Sequence, residues 1–267
     1  MNNKAVSRPL IILLLLLALA GGCLGPGLGP ALNVFSVEQE IKMGRRFSRE
    51  ISKKAKLAND PFVSRYITDL GRRLVPPEAA RIYPFTFSVI KNKQVNAFAV
   101  PGGPVYVHSG LIKKASSEAE LASVIAHEIG HVVNRHGGQQ MTAQVGYSFL
   151  ASLLLGQNPA GWQALTAKLL GTSGLLAYSR SHENQADIFA VRSLYRSGHD
   201  VYAMITFFQK LKALEKSQPN AIAKFFSSHP ATSERLARIK AVISSYPRQT
   251  NPITTSGAFL RVQAALN

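Results

Sequence analysis

The segment from Ser117 to Arg135 carries its apolar residues at the three- and four-residue spacing of a helix. It contains the pattern His-Glu-x-x-His, formed by His127, Glu128 and His131. The two histidines lie one turn apart on the same face, so both imidazoles can reach one metal ion. Glu128 projects beside them, where a carboxylate can act as a base on an activated water. We therefore predict a helix that bears two metal ligands and a base.

The same pattern has a plain structural alternative. Buried histidines are often core residues satisfied by hydrogen bonds, and a pattern this short also arises by chance. Here, however, two histidines and a glutamate interrupt a face of Val, Ile and Ala, where unpaired polar groups would be costly. The metal interpretation is favoured, and it requires a third ligand.

A second helix, predicted from about Ser181 to Ser197, offers that ligand. Glu183 and Asp187 are four residues apart on a face that continues in apolar residues. Two carboxylates on such a face need a cation or hydrogen-bond donors nearby, so Glu183 is the candidate ligand. Asp187 is then an acceptor that orients His127 or pairs with an arginine. His182 is a weaker candidate because it points off this face; a solvated helix surface is the structural alternative.

Between Tyr83 and Ile112 the apolar spacing changes to the alternation of strands. We predict a small antiparallel sheet beside the metal-binding helix, with a turn at the sequence Pro-Gly-Gly-Pro. The strand that contains Asn96, Ala97, Phe98 and Ala99 is predicted to bind an extended peptide as an added strand. Alternatively, the sheet only closes the core.

Polar caps and glycines predict the other helix boundaries. Ser36 opens a helix that runs to about Lys56, and Asp60 opens a second that ends at about Leu74. Glycines at positions 137 and 138 are expected to cap the metal-binding helix. Two apolar segments, 141–155 and 162–176, are too short to span a bilayer and are predicted to pack over the cleft or within the core.

Composition places limits on partners. Of the 267 residues, 46% are hydrophobic, enough for a sizeable core in one large domain or two small ones. The 31 Lys and Arg outnumber the 14 Asp and Glu, for a formal charge of +17. This charge favours contact with anionic material, unless it is only a solvated surface. The basic residues are scattered and no nucleic-acid-binding signature occurs, so we expect no nucleic-acid partner.

The single cysteine, Cys23, excludes an intrachain disulfide. It follows an apolar run that is too short for a membrane-spanning helix and has the form of a secretory signal peptide. The junction resembles a bacterial lipobox, with Ala20 where a large aliphatic residue is usual. We predict cleavage after residue 22, lipidation of Cys23 and firm membrane attachment; an ordinary signal peptidase site is the alternative. Leu24 is compatible with outer-membrane sorting.

Four segments in this order resemble the motifs of one family: residues 96–103, 127–131, 179–187 and 228–236. The family is the gluzincin zinc metallopeptidases that include the CAAX prenyl proteases and the bacterial HtpX-like proteases. The similarity covers about residues 36–244. Lacking the transmembrane helices of the integral-membrane members, the chain looks more like the periplasmic members, some of which are lipoproteins.

The resemblance implies a set of site residues. One zinc ion would be held by His127, His131 and Glu183, with Glu128 as the general base. The resemblance also implies that Asp187 lies behind the ligands. It further implies that His229 and Arg235 lie near the substrate or the transition state. A pair between Arg235 and Asp187 would couple the last part of the fold to the metal site.

We therefore expect an α+β, mainly α-helical, zincin-like fold. Residues 1–22 are the predicted signal peptide, 23–35 the lipidated cysteine and tether, and 36–267 a single metallopeptidase domain without a helical-repeat domain. The expected function is a zinc metalloendopeptidase that cleaves unfolded or misassembled polypeptides. We expect it on the periplasmic side of the bacterial cell envelope, anchored to the outer membrane by lipid on Cys23. The alternative is a lipid-anchored chaperone or binding protein with a latent or incidental peptidase site. The sequence predicts no oligomeric state.

Overall fold

In the computed structural model of this chain, the described residues are 32–144, 152, 155–171, 177–230 and 232–266. The helices in chain order are α1 Val37–Lys54, α2 Pro61–Leu74, α3 Pro77–Ile82, α4 Ser109–Lys114, α5 Glu118–Val133, α6 His136–Gln144, α7 Pro159–Leu170, α8 Arg180–Arg196, α9 Ala203–Ser217, α10 Pro219–Ser228, α11 Ser233–Ser244 and α12 Gly257–Ala265. The strands are β1 Thr86–Ile90, β2 Ala97–Ala99 and β3 Pro104–His108. The predicted signal peptide and Cys23 lie outside the described residues, so the predicted domain boundaries remain predictions.

Polar caps start the first two helices as predicted. The Ser36 hydroxyl accepts the N–H of Gln39 at 3.2 Å, and the Gln39 side chain accepts the N–H of Ser36 at 2.8 Å. The Asp60 carboxylate accepts two backbone N–H groups at the start of α2. Each cap satisfies donors that the first helical turn leaves without partners. α1 ends at Lys54, two residues before the predicted end, and α2 ends at Leu74.

The sheet is mixed, in the order β1-β3-β2. β2 and β3 form the predicted antiparallel hairpin, whose turn contains Gly102 and Gly103 with φ of 82° and 128°. β1, however, pairs with β3 in parallel, so the prediction of a purely antiparallel sheet was wrong. Alternation of apolar and polar residues predicts where strands lie. It does not determine which strand of the β2–β3 hairpin pairs with β1, or in which direction. Here β3, the central strand, is buried along its whole length.

Helix α5 is the centre of the core. Every residue from Glu118 to Val132 is buried, between α8, α9, α2 and the sheet. A helix that is buried all round is normally apolar all round. The polar side chains of α5 therefore need partners within the protein.

Glu118, at the first position of α5, illustrates this requirement. Its carboxylate accepts hydrogen bonds from the Tyr66 hydroxyl at 3.0 Å, Arg73 at 3.1 Å, His199 at 3.3 Å and the Ser256 hydroxyl. Burial alone would raise the pKa of Glu118, but these hydrogen bonds and the charge of Arg73 lower it to about 2. Glu118 thus ties α5 to α2, to the loop after α8 and to the start of α12.

The end of α5 differs from the prediction. The left-handed residue is Arg135, with φ of 61°, and the two glycines expected as a cap lie inside α6. A side chain at Gly137 would collide with Pro101, and one at Gly138 would collide with Glu40. The glycines are therefore needed for close packing and not for the helix end.

Helix α7 packs on α1, with the rings of Trp162 and Phe47 5.0 Å apart. The predicted cover over the cleft falls partly on residues 145–151, 153–154 and 172–176, which lie outside the described part, so it remains a prediction. Among the residues that the structure describes, no helix is both long enough and apolar enough to cross a membrane.

We predict that Glu118→Gln lowers the free energy of unfolding at pH 7 by about 2 kcal/mol, since four donors lose a charged acceptor. The native pKa of about 2 lies below the ordinary 4.5. The stabilisation is therefore complete above pH 4.5 and is lost as the pH falls toward 2. Urea unfolding of parent and variant between pH 7 and pH 3 measures this. The control is Glu78→Gln, an exposed acid in the first turn of α3. A difference that stays constant down to pH 3 would contradict the prediction.

Candidate metal centre

Helices α5 and α8 approach each other closely at Gly130. A side-chain carbon at this position would lie 3.1 Å from the Cα of Ala186 and 3.1 Å from the Cβ of Phe189. The absence of that carbon lets the two helices come together. The approach brings Glu183, at the start of α8, to His127 and His131 on α5.

Four buried side chains meet where these helices cross. The Nε2 atoms of His127 and His131 are 3.0 Å apart, and Glu183 Oε1 lies 3.4 Å from His131 Nε2. Glu183 Oε2 lies 3.5 Å from His127 Nε2. The fourth member is His229, from the end of α10, whose Nδ1 is 3.3 Å from His127 Nε2 and 3.0 Å from Glu183 Oε1. The sequence predicted His229 near the substrate, and the structure places it among the donor atoms.

The spacing of these atoms fits a single metal ion. Zinc binds histidine nitrogens and carboxylate oxygens at about 2.0–2.1 Å, so the edges of a tetrahedral site are about 3.4 Å long. One ligand atom from each of the four residues lies within 4.8 Å of the others, and all four residues are buried. Among the described residues, Glu183 Oε2 is buried and has no hydrogen bond, although it has an ion-pair contact with Arg235. A metal ion among the four donors would give this group of buried polar atoms a further partner.

Behind the donors, Asp187 and Arg235 form a buried pair. Asp187 Oδ1 lies 2.9 Å from His127 Nδ1, as predicted for a residue that orients this histidine. Arg235 binds both carboxylate oxygens of Asp187, at 2.7 and 2.9 Å, which is the pair that the sequence analysis anticipated. Its Nη1 is also 2.6 Å from Glu183 Oε2, an ion-pair contact without hydrogen-bond geometry. Arg235 therefore compensates two buried carboxylates.

These charges shift the pKa values of the donor residues. Burial would lower the pKa of His127, but the charge of Glu183 and the hydrogen bond to Asp187 raise it to about 10. Burial lowers the pKa of His131 well below its ordinary value. Burial would raise the pKa of Glu183, yet the charges of His229 and His127 lower it. At neutral pH the metal-free site therefore holds an ionised Glu183 and an unprotonated His131, whereas His127 is protonated and must release a proton when a metal binds.

Glu128 lies beside the donor group and is held at one oxygen only. Its Oε2 accepts the N–H of Ala99 at 3.0 Å. Its Oε1 has no hydrogen bond to any described residue and is 3.4 Å from Nε2 of His229. Burial raises the pKa of Glu128. The geometry leaves one carboxylate oxygen available for proton transfer next to the predicted metal.

The strand predicted to receive a substrate is β2, which is an edge strand of the described sheet. Asn96, Ala97, Phe98 and Ala99 are all buried. The edge N–H of Ala99 is occupied by Glu128, so binding of a peptide along Ala99 would require that hydrogen bond to open. Substrate binding at β2 remains a prediction.

His182, the alternative ligand, does not reach the donor group. Its ring stacks on that of His136, with centroids 4.4 Å apart. His136 contacts the donors instead: its Nδ1 is 2.9 Å from Nδ1 of His131. His136 is five residues beyond His131, a spacing that does not match the third histidine of the metzincins, so the sequence predicted no role for it. Its position just beyond the end of the metal-binding helix is the feature of the sequence that could have indicated a contact with the ligands.

A cavity of about 380 Å³ lies next to the donor group. Glu183 and Arg235 contribute to its wall, together with exposed residues of α8 and α11. It provides space for a ligand beside the predicted metal.

Comparison with known proteins agrees with this site. The profile of Peptidase family M48 matches residues 61–243, which include all four donors, Glu128, Asp187 and Arg235. The chain belongs to peptidase family M48. Members of this family use zinc, so zinc is the cofactor that the site accommodates. The resemblance and the mainly helical fold class inferred from the sequence are thereby confirmed.

Three relatives show how far the similarity of this M48 chain extends. The beta-barrel assembly-enhancing protease of Escherichia coli is 38% identical over 77% of this chain and 44% of its own length. The mitochondrial metalloendopeptidase OMA1 of Schizosaccharomyces pombe is 29% identical over 66% of this chain and 51% of its own length. The metalloprotease LoiP of Escherichia coli is 30% identical over 61% and 64%. The chain thus spans about half the length of the relatives it matches.

We predict that Arg235→Gln destabilises the metal-free protein by about 3–5 kcal/mol, because two buried carboxylates lose their cation. Thermal and urea unfolding measure the loss. The matched control is Arg238→Gln, an exposed arginine on the same helix, for which a change within about 0.5 kcal/mol is expected. Equal stability of both variants would show that Arg235 does not compensate the buried charge.

Proposed function

We propose that this chain is a zinc-dependent metalloendopeptidase that hydrolyses peptide bonds of unfolded or misassembled polypeptides in the bacterial cell envelope. The observation that carries the proposal is the buried donor group with the free Oε1 of Glu128 beside it. Membership of family M48 supports the reaction class. The adjacent cavity supports access for a polypeptide.

In this proposal, His127, His131 and Glu183 hold the metal. When bound, zinc supplies Lewis-acid activation of a water molecule and of the scissile carbonyl. Glu128 takes the proton of the attacking water at Oε1 and passes it to the leaving amine. The hydrogen bond from Ala99 holds the other oxygen of Glu128, so the carboxylate is oriented for this transfer.

Arg235 and Asp187 orient the site from behind. Asp187 holds His127 at Nδ1, which directs Nε2 toward the metal. Arg235 is committed to Asp187 and Glu183, so we assign it a positioning role in addition to the one near the transition state implied by the family. His229, through Nε2, is the remaining candidate to stabilise the developing oxyanion.

The proposed substrate and location are supported by the relatives. Proteins from Escherichia coli and Vibrio cholerae that match this chain are named for enhancing β-barrel assembly, which supports misassembled envelope polypeptides as substrates. We propose a periplasmic location with attachment to the membrane, at the outer membrane, through lipid on Cys23. Cys23 lies outside the described residues, and this part of the proposal is supported by the sequence around it.

We predict that Glu128→Gln retains zinc and lowers the rate of cleavage of unfolded casein by about 10²–10⁴-fold, since the base is lost while the donors remain. Casein cleavage and metal content are measured on the full chain, with and without a chelator. Zinc added after the chelator should restore cleavage by the parent only. The control is Glu215→Gln, an exposed acid on α9 that does not line the cavity, expected to cleave at the parental rate. Undiminished cleavage by Glu128→Gln would remove the base assignment, and cleavage that resists the chelator would remove the zinc assignment.

A second candidate function is a chaperone or binding protein with a latent peptidase site. The observation that favours it is His229, because its Nδ1 occupies the fourth corner that a zinc hydrolase leaves open for water. In this arrangement the site is closed, and activity would require His229 to leave.

The variant His229→Ala distinguishes these roles. The proposed oxyanion role predicts a fall in casein cleavage of about 10²–10³-fold at saturating zinc. Cleavage is measured against the parent over a range of zinc concentrations. Faster cleavage by the variant would instead show that His229 closes the fourth corner, as the latent site requires.

A further inference from the structure

A chain of hydrogen bonds leads away from His131 on the side opposite the donor group. His131 Nδ1 and His136 Nδ1 are 2.9 Å apart, and both side chains are buried, with 1% and 0% exposure. His136 Nε2 is 3.2 Å from Oε1 of Gln185, and Nε2 of Gln185 donates to the Ser181 hydroxyl at 3.3 Å. The chain ends at the surface, where Gln185 and Ser181 are exposed.

The donor and acceptor of each hydrogen bond from His131 to Gln185 follow from one requirement. If His131 presents the lone pair of Nε2 to a metal, its proton is on Nδ1 and is donated to His136. His136 then accepts at Nδ1 and carries its own proton on Nε2. That proton is donated to the amide oxygen of Gln185. All three links are satisfied by neutral groups.

An unusual backbone conformation at Arg135 precedes His136, which lies next to His131. Arg135 adopts the left-handed conformation that is unfavourable for residues with a side chain. Its guanidinium is held by Glu40, through Nε at 3.1 Å, and by the carbonyl of Phe35. This left-handed residue separates α5 from α6, and His136, the first residue of α6, lies against His131. Backbone strain that the surroundings maintain is frequent at functional sites.

We infer that His136 is a positioning residue that fixes the tautomer and the ring orientation of His131 for zinc binding. This inference rests on the proposed role of His131 as a zinc ligand. The two α5 histidines then have different partners at Nδ1: a carboxylate for His127 and a neutral imidazole for His131. A second carboxylate would add negative charge to a site where Glu128, Glu183 and Asp187 are already buried near one arginine.

Zinc affinity of the full chain, measured by competition with a chromophoric chelator, tests the inference. We expect His136→Leu to weaken zinc binding about 10- to 100-fold, the range typical of lost partners of metal-bound histidines. His136→Asn, which places an amide oxygen close to the position of Nδ1, should recover most of the affinity. The matched control is His182→Phe, which keeps the ring that stacks on His136 and should bind zinc like the parent.

Parental affinity of His136→Leu would overturn the inference. So would a loss of affinity in His182→Phe equal to that of His136→Leu, because packing and not hydrogen bonding would then be the cause. The inference would also be overturned if His136→Asn did not recover zinc affinity, because the hydrogen bond to His131 would then not be the cause of the loss. If the parent itself binds no zinc, the proposed function fails; parental zinc binding with an unaffected Leu variant refutes only the role of His136.

A second measurement covers the case in which His136→Leu does not fold. Two-bond ¹H–¹⁵N spectra of the zinc-loaded parent should show His136 with its proton on Nε2. Gln185→Leu, at an exposed position, removes the acceptor of that proton and should bind zinc more weakly than the parent, by less than His136→Leu does. A proton on Nδ1 of His136 in the loaded parent would overturn the inference.

Discussion

The close approach of α5 and α8 at Gly130 is the constraint on which the site depends. The two helices supply three of the four donor residues, and they supply them from segments about fifty residues apart in the chain. With no side chain at Gly130, the backbone of α8 at Ala186 can pack directly against α5. The distances of 3.4 and 3.5 Å from Glu183 to the two histidines of α5 follow from that contact. Packing of small residues thus sets the dimensions of a polar site.

Burial of these charged groups is unfavourable, and opposite charges placed next to one another compensate it. Glu183 and Asp187 share one buried guanidinium, that of Arg235, and Asp187 in turn holds His127. Zinc would add positive charge at the centre of this arrangement. The use of a neutral partner behind His131 is consistent with the same balance. Arg235 therefore links α11 to the metal site.

His229 places a fourth side-chain donor in a site that otherwise consists of three ligands and a base. His229, from the end of α10, adds a fourth donor atom to those of α5 and α8, while its other nitrogen faces Glu128. We therefore expect opening and closing of the site to depend on the segment that carries His229 rather than on α5.

Much of the fold and of the site was predictable from local chemistry. Caps at Ser36 and Asp60 predicted where helices start, because they satisfy backbone donors within a few residues. The pattern around His127 and the spacing from Glu183 to Asp187 predicted which side chains share a face, because helical geometry is local. The resemblance to a metallopeptidase family added His229 and Arg235. These inferences did not require knowledge of distant contacts.

The tertiary structure decided what depends on contacts between distant segments. Local alternation could not show that β1 pairs in parallel with β3, nor could glycine content show that Arg135 takes the left-handed turn while the glycines serve packing. His136 gained its place only because that turn returns the chain to His131. The sequence by itself thus determined the chemical groups and their helical faces. Their final partners were decided by packing, because a buried polar group must find its counterpart wherever the fold brings one within reach.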